Sequence, residues 1–144
     1  MKILFFDNGN YSRSPAAEAI ARSMIDARGL ADRFAVSSAG LIDKHVGGPA
    51  DPRTAAACAR RGYDLSGFVC RRARSAIFAE FDEILAMDRQ NLAALELARR
   101  EGDRARLALF AGEDEVPDPF YGEADGFDLV VEMIEKRVRE ILGV

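Results

Sequence analysis

The chain has 144 residues, 49% of them hydrophobic and 31% charged, and a net charge of −4. That length fits one domain over 1–144 with a core that needs no staples, and the composition excludes disorder as the default. The acidic balance argues against a general nucleic-acid binder, which favours a basic surface, while leaving room for a local basic pocket.

KILFF at the start is a short apolar burst that ends in Asn-Gly, the pattern of a strand buried on both faces of a parallel sheet. From Pro15 the spacing turns helical: Ala17, Ile20, Ala21, Met24 and Ile25 share a face, and Gly29 supplies a stop. Arg33–Gly40 reads as a second strand, and the glycine- and proline-rich His45–Pro52 as irregular chain. Pro52 opens a helix that Arg61-Gly62 ends. A turn at Leu65–Gly67 precedes a short helix over Arg74–Ala79. Glu83–Asp88 is a third strand, followed by a helix through Leu92, Leu95 and Ala98. Arg106–Phe110 is a fourth strand, and Ala111–Gly126 a long loop of turn formers. Phe127–Leu142 is a final amphipathic helix. Strands alternating with helices predict an α/β fold, a parallel sheet covered on both sides by right-handed crossovers. Ligands then bind beyond the carboxyl ends of the strands, where Asp7, Ser37–Gly40, Met87–Asp88 and the loop at Ala111–Gly122 belong.

The run FFDNGNYSRSP carries the chemistry. Eight residues between a strand and a helix can curl with successive amides pointing inward, where the helix dipole adds partial positive charge. Gly9 permits a tight path, Asn10 tolerates the left-handed conformation, and Arg13 brings a planar fork able to grip two oxygens of a phosphate. Ser14 either caps the helix or donates toward a reacting atom. An ordinary strand-to-helix turn fits the same residues. The second half, VPDPFYG at Val116–Gly122, holds Asp118 between two prolines, a carboxyl placed to act as general acid, with Phe120 and Tyr121 beside it as walls for a flat ring.

Together FFDNGNYSRSPAAEAI, VSSAG, HVGGPADPR, RGYDLSG, FDEILAMDRQNL and VPDPFYG resemble the low-molecular-weight protein tyrosine phosphatases, in the family's order and over nearly the whole chain. The resemblance implies a three-layer αβα sandwich on a four-stranded parallel sheet, of the phosphotyrosine phosphatase I-like type. It implies hydrolysis of aryl phosphate monoesters such as phosphotyrosine through a phosphoenzyme. No metal or other cofactor is involved, and inorganic phosphate is product and inhibitor. By the same likeness Arg13 grips phosphate, Ser14 steadies the nucleophile, and Asn10 braces the loop against Ser38. Asp118 protonates the leaving group. Asn8, Gly9, Tyr11, Ser12, Lys44, Phe120 and Tyr121 line the substrate site.

The family's nucleophilic cysteine falls on Asp7. Further departures are Ser12, Phe68 and Lys44, where relatives often carry Cys, His and Trp. A carboxylate is a poorer nucleophile toward phosphorus than a thiolate. Two like charges about 4 Å apart repel by about 4 kcal/mol at an effective dielectric near 20, so Asp7 is expected to exclude a phosphate dianion and leave little turnover. A metal-dependent aspartyl-phosphate enzyme of the haloacid-dehalogenase-like type is disfavoured, because Gly9 replaces the second acid of its DxD pattern. An arsenate reductase of the same fold is disfavoured because Cys58 and Cys70 are the only thiols. A non-catalytic phosphate- or phosphopeptide-binding module remains the alternative. The two cysteines, in no CxxC or CxxH spacing, read as packed thiols of a cytoplasmic protein. No signal peptide or membrane span is expected, and the partner is a phosphotyrosine protein met by a monomer or weak dimer. His45 reads as a rim residue, and Arg71, Arg72 and Arg74 as a solvated basic face that could draw acidic phosphopeptides if it borders the pocket.

Overall fold

In the computed structural model, which describes residues 1–119 and 126–144, the alternation of Ile3 and Phe5 with Leu4 and Phe6 decides the architecture. These residues lie on β1 (Lys2–Asp7), buried from Ile3 onward. β1 sits inside a four-stranded parallel sheet of order β2-β1-β3-β4, with β2 at Ala35–Gly40, β3 at Glu83–Ala86 and β4 at Arg106–Leu109. Ile3 and Phe5 point to the face covered by α1 (Arg13–Arg28), α2 (Pro52–Arg60) and α5 (Gly126–Leu142). There they meet Ala17, Ile20, Met24, Ile134 and Val138, and Phe5 stands edge-on to Phe110 at 5.6 Å. Leu4 and Phe6 point to the other face, against Ile77 and Phe78 of α3 (Ile77–Glu80) and Leu95 of α4 (Arg89–Ala98). Burial on both sides is what a continuous apolar run in a parallel sheet requires, and the expected three-layer αβα sandwich results.

The boundaries shift in instructive ways. α1 begins at Arg13, two residues before Pro15, so that Ser14 lies inside the first turn and makes no N-cap; Gly29 ends the helix in the left-handed conformation. Arg33 and Phe34 stay outside β2. α3 is a single turn from Ile77, not a helix from Arg74; its N-cap is Ala76, with no side-chain cap. Glu83–Asp88 divides: β3 stops at Ala86, and the Asp88 carboxylate turns to cap α4, accepting from the Asn91 amide at 2.8 Å. Among the described residues no helix is long and apolar enough to cross a membrane.

The register then delivers the loop. Asp7 ends β1 level with Gly40 of β2, and the chain after Asp7 folds over Gly40 so closely that a Cβ there would meet the Asn10 nitrogen at 2.7 Å and the Gly9 carbonyl carbon at 2.8 Å. Gly40 is therefore demanded by close approach of backbone.

Candidate active site

The loop from Asp7 to Ser14 is held mainly by Asn10. Its backbone takes φ 52°, a left-handed conformation that Asn tolerates better than most residues. Its buried amide side chain donates to Ser14 Oγ and Ser38 Oγ, both at 2.9 Å, and its Oδ1 accepts the Arg71 amide at 2.9 Å. Ser38 Oγ passes its own hydrogen to Glu18 Oε1 at 2.9 Å. Glu18, a carboxylate only 6% exposed on α1, is balanced by Arg71 at 3.2 Å and Arg22 at 3.4 Å. From the other side, the Leu41 and Ile42 amides donate to the Asn8 carbonyl, and the Asp51 amide to the Tyr11 carbonyl at 2.8 Å. Ser12 Oγ shares a hydrogen with Thr54 Oγ1 at 2.6 Å. Buried polar groups tied this fully fix one loop conformation.

Asp7 forms the floor. Its carboxylate, 3% exposed, accepts the Asn10 amide on Oδ1 at 2.7 Å and the Ser14 amide on Oδ2 at 2.9 Å. Burial pushes its pKa above the ordinary value of 3.8, outweighing the Ser14 amide, the Arg13 charge and the Asn10 amide, which all pull the other way. The Asn8, Gly9, Ser12 and Arg13 amides donate to no acceptor among the described residues, and all four residues line a cavity of about 490 Å³ that opens above Asp7.

Arg13 rises along one wall, 6% exposed. Its Nη1 donates to Asp88 Oδ2 at 3.0 Å and to the Val116 carbonyl at 2.8 Å. The guanidinium is thus aimed by the residue after β3 and by the loop after β4 at once, and its hydrogen bonds go to these groups and not to Asp7. Asp118 lines the same cavity, as do Tyr11, Ser12, Ile42, Lys44, His45 and Arg53. Tyr11 and His45 stack nearly parallel, ring centroids 3.7 Å apart, so His45 is a rim residue packed flat on an aromatic wall. Chemically, the cavity brings together loop residues whose amides have no acceptor among the described residues, a fixed cation and two carboxyls.

Of the residues singled out from sequence, Asp7, Asn8, Gly9, Tyr11, Ser12, Arg13, Lys44 and Asp118 meet in one cavity, while Asn10 and Ser14 stand behind it. Phe120 and Tyr121 lie outside the described residues. Arg71, Arg72 and Arg74 are not among the lining of that cavity, and Arg71 is more than a solvated charge: its amide reaches Asn10 and its guanidinium reaches Glu18. Phe68, at the position where relatives often carry a histidine, packs against the core, and Arg71 and Arg22 are the cations beside Glu18. Glu18 and the Arg13 contact of Asp88 were missed. A Glu on the core-facing side of α1, in register with Ala17 and Ala21, is the one sequence signal that marks a buried charge needing partners.

A small α/β domain with a strand-loop-helix turn, a buried arginine and two carboxyls on one cavity has the outline of a phosphatase-like fold. Residues 2–143 match the family model of low molecular weight phosphotyrosine protein phosphatase. A low molecular weight protein-tyrosine-phosphatase of Streptomyces coelicolor is 38% identical over 143 residues, covering 93% of this chain and 87% of that protein. The human low molecular weight phosphotyrosine protein phosphatase is 31% identical, covering 97% and 92%. Among solved structures, a protein tyrosine phosphatase of Entamoeba histolytica superposes with TM-score 0.90 at 33% identity, covering 99% and 94%. A Drosophila arginine phosphatase does so with TM-score 0.90 at 29% identity, covering 99% and 96%. The chain belongs to the low-molecular-weight phosphotyrosine protein phosphatase family.

Proposed function

We propose that this chain is a phosphotyrosine-phosphatase scaffold whose catalytic cycle stops at the nucleophile. Arg13 and the free amides of the loop bind the oxyanion, Asn10 and Ser14 shape the loop, and Asp118 serves as the acid for a leaving phenolate. Tyr11, with Lys44 at the rim, receives the ring and its flanking chain. Inorganic phosphate is the product-like ligand, and no cofactor takes part. The observation that supports the reading is that loop residues Asn8, Gly9 and Ser12, whose amides have no acceptor among the described residues, share one cavity with Arg13 and Asp118. Asp7 accounts for the arrest. Its carboxylate is a weak nucleophile toward phosphorus, both of its oxygens are already engaged by amides, and ionised it repels the dianion it should attack. Two buried thiols fit a reducing cytoplasm.

Replacing Asp7 by Cys tests this. In that variant Sγ attacks phosphorus, the aryl oxygen leaves with a proton from Asp118, and water then cleaves the cysteinyl phosphate. Asp7→Cys is expected to hydrolyse an aryl phosphate at least about 10³-fold faster than the chain as written, with an acidic optimum. Running a phosphoguanidine beside the aryl ester assigns the substrate class, given the arginine phosphatase among the structural neighbours. No gain on either substrate, in a variant that melts like the parent, overturns the reading.

A further inference from the structure

The charge that the cup can accept follows from what its cations already face. Arg13 is the buried cation at the loop, and Asp88 faces it at 3.0 Å. The rim adds Lys44 and Arg53, but Arg53 is held by the buried Asp51 carboxylate at 2.9 Å. Arg13 with Asp88 sums to zero, and an ionised Asp7 brings the inner site to −1. The remaining donors are the peptide hydrogens of Asn8, Gly9, Ser12 and Arg13, dipoles that stabilise one negative charge without supplying a counter-charge for a second.

We propose that this cup selects singly charged tetrahedral oxyanions, sulfonates and sulfate monoesters, over doubly charged phosphate monoesters of the same shape, which enter only together with one proton. The selection rests on the oxyanion-cup reading above and adds to it a ligand class and a proton count. The proton resides on Asp7. Burial already favours its neutral form, and a protonated carboxyl beside a bound oxyanion turns a repulsion into a donated hydrogen bond. The groups that face Asp7 are consistent with uptake there. They are Arg13 of α1, with Asp88 behind it after β3; Asp118 from the loop after β4; and His45, Lys44 and Arg53 along the rim. Cys70, on the strap that bridges to Gly40 and Asn10, also feels the Asp7 charge, and burial with that charge raises its pKa.

Phenylphosphonate and benzenesulfonate share a ring and a tetrahedral head and differ by one charge at alkaline pH. Calorimetry on the intact chain near pH 8 is expected to show benzenesulfonate binding at least about tenfold tighter. Phenylphosphonate should gain affinity as the pH falls, with close to one proton taken up when buffers of different ionisation enthalpy are compared, while benzenesulfonate stays nearly flat. Asp7→Ser removes the floor charge and should shrink the preference for benzenesulfonate near pH 8 to less than about threefold and abolish the proton uptake, with Asp7→Ala as the second variant should the serine misfold. Equal or tighter phosphonate binding by the unaltered chain near pH 8, or an undiminished sulfonate preference in both variants, overturns the proposal. If that happens while Asp7→Cys still regains turnover, the phosphatase reading stands and only the charge selection falls. Binding of neither ligand by any of these chains overturns the cup itself.

Discussion

Behind the loop and beneath it, the molecule treats charge in opposite ways. The brace behind it runs from Ser14 through Asn10 and Ser38 to Glu18, and it ends on two arginines that neutralise the buried carboxylate. Beneath it, Asp7 is as buried as Glu18, yet it is met by two peptide hydrogens, the Ser14 side chain and the charge of Arg13 at longer range, with no ion pair among the described residues. A carboxylate matched by close counter-ions is structural furniture; one without them keeps its titration and its repulsion. The shape of the loop and the electrostatics at Asp7 are therefore set by different partners and are separable.

That separation can be broken most forcefully on the Asp7→Cys background. There, Asp118→Asn should lower kcat about 10²-fold and flatten the basic limb of the pH profile, since a general acid contributes on that order. An unchanged profile would show that Asp118 shares the cavity without sharing the reaction. Next in size, Asn10→Ala in the unaltered chain deletes three hydrogen bonds at a left-handed position and should cost about 2–3 kcal/mol by urea unfolding. Asn10→Gly should cost less, because glycine adopts that backbone without strain. A loss near zero would mean the brace is decorative.

A smaller effect probes the floor. Because Asp7 has its pKa raised above 3.8 in the fold, the folded chain holds that proton more tightly than the unfolded one. Its contribution is complete below about 3.8 and is lost as pH rises through the raised value, with a slope up to about 1.4 kcal/mol per pH unit. Unfolding curves of Asp7→Ser and the parent from pH 4 to pH 8 should therefore drift apart in favour of the variant as pH rises; a constant difference would contradict the burial of an uncompensated carboxyl. Smallest of all, Arg71→Ala should cost about 1 kcal/mol by exposing Glu18 to a single arginine, whereas Arg74→Ala should leave the unfolding midpoint in place.

The sheet and its two covered faces were readable from KILFF, because an unbroken apolar run followed by Asn-Gly has few other uses in a chain whose strands and helices alternate. The bend of the loop was readable too at Asn10, whose left-handed backbone and bond to Ser38 are the ones its residue type suggested. What the sequence withheld was pairing across distance. Asp88 lies 75 residues from Arg13, and nothing near either one announces the contact. Arg71 looked like one of several solvated arginines because its role depends on Gly40, Asn10 and Glu18 arriving beside it through three separate elements. The misplaced start of α3 has a local cause: its N-cap position falls on Ala76, which carries no capping side chain, and a single turn is set by Ile77 and Phe78 entering the core.

Cys58 and Cys70 are both buried, and burial alone pushes the Cys58 thiol up to about 12, far from the thiolate that peroxide and alkylating reagents attack. With Asp7 at the floor and Ser12 beside Arg13, the loop offers no sulfur at all. Oxidants and haloacetamides that silence a thiolate-based site therefore find no sulfur to modify in this loop.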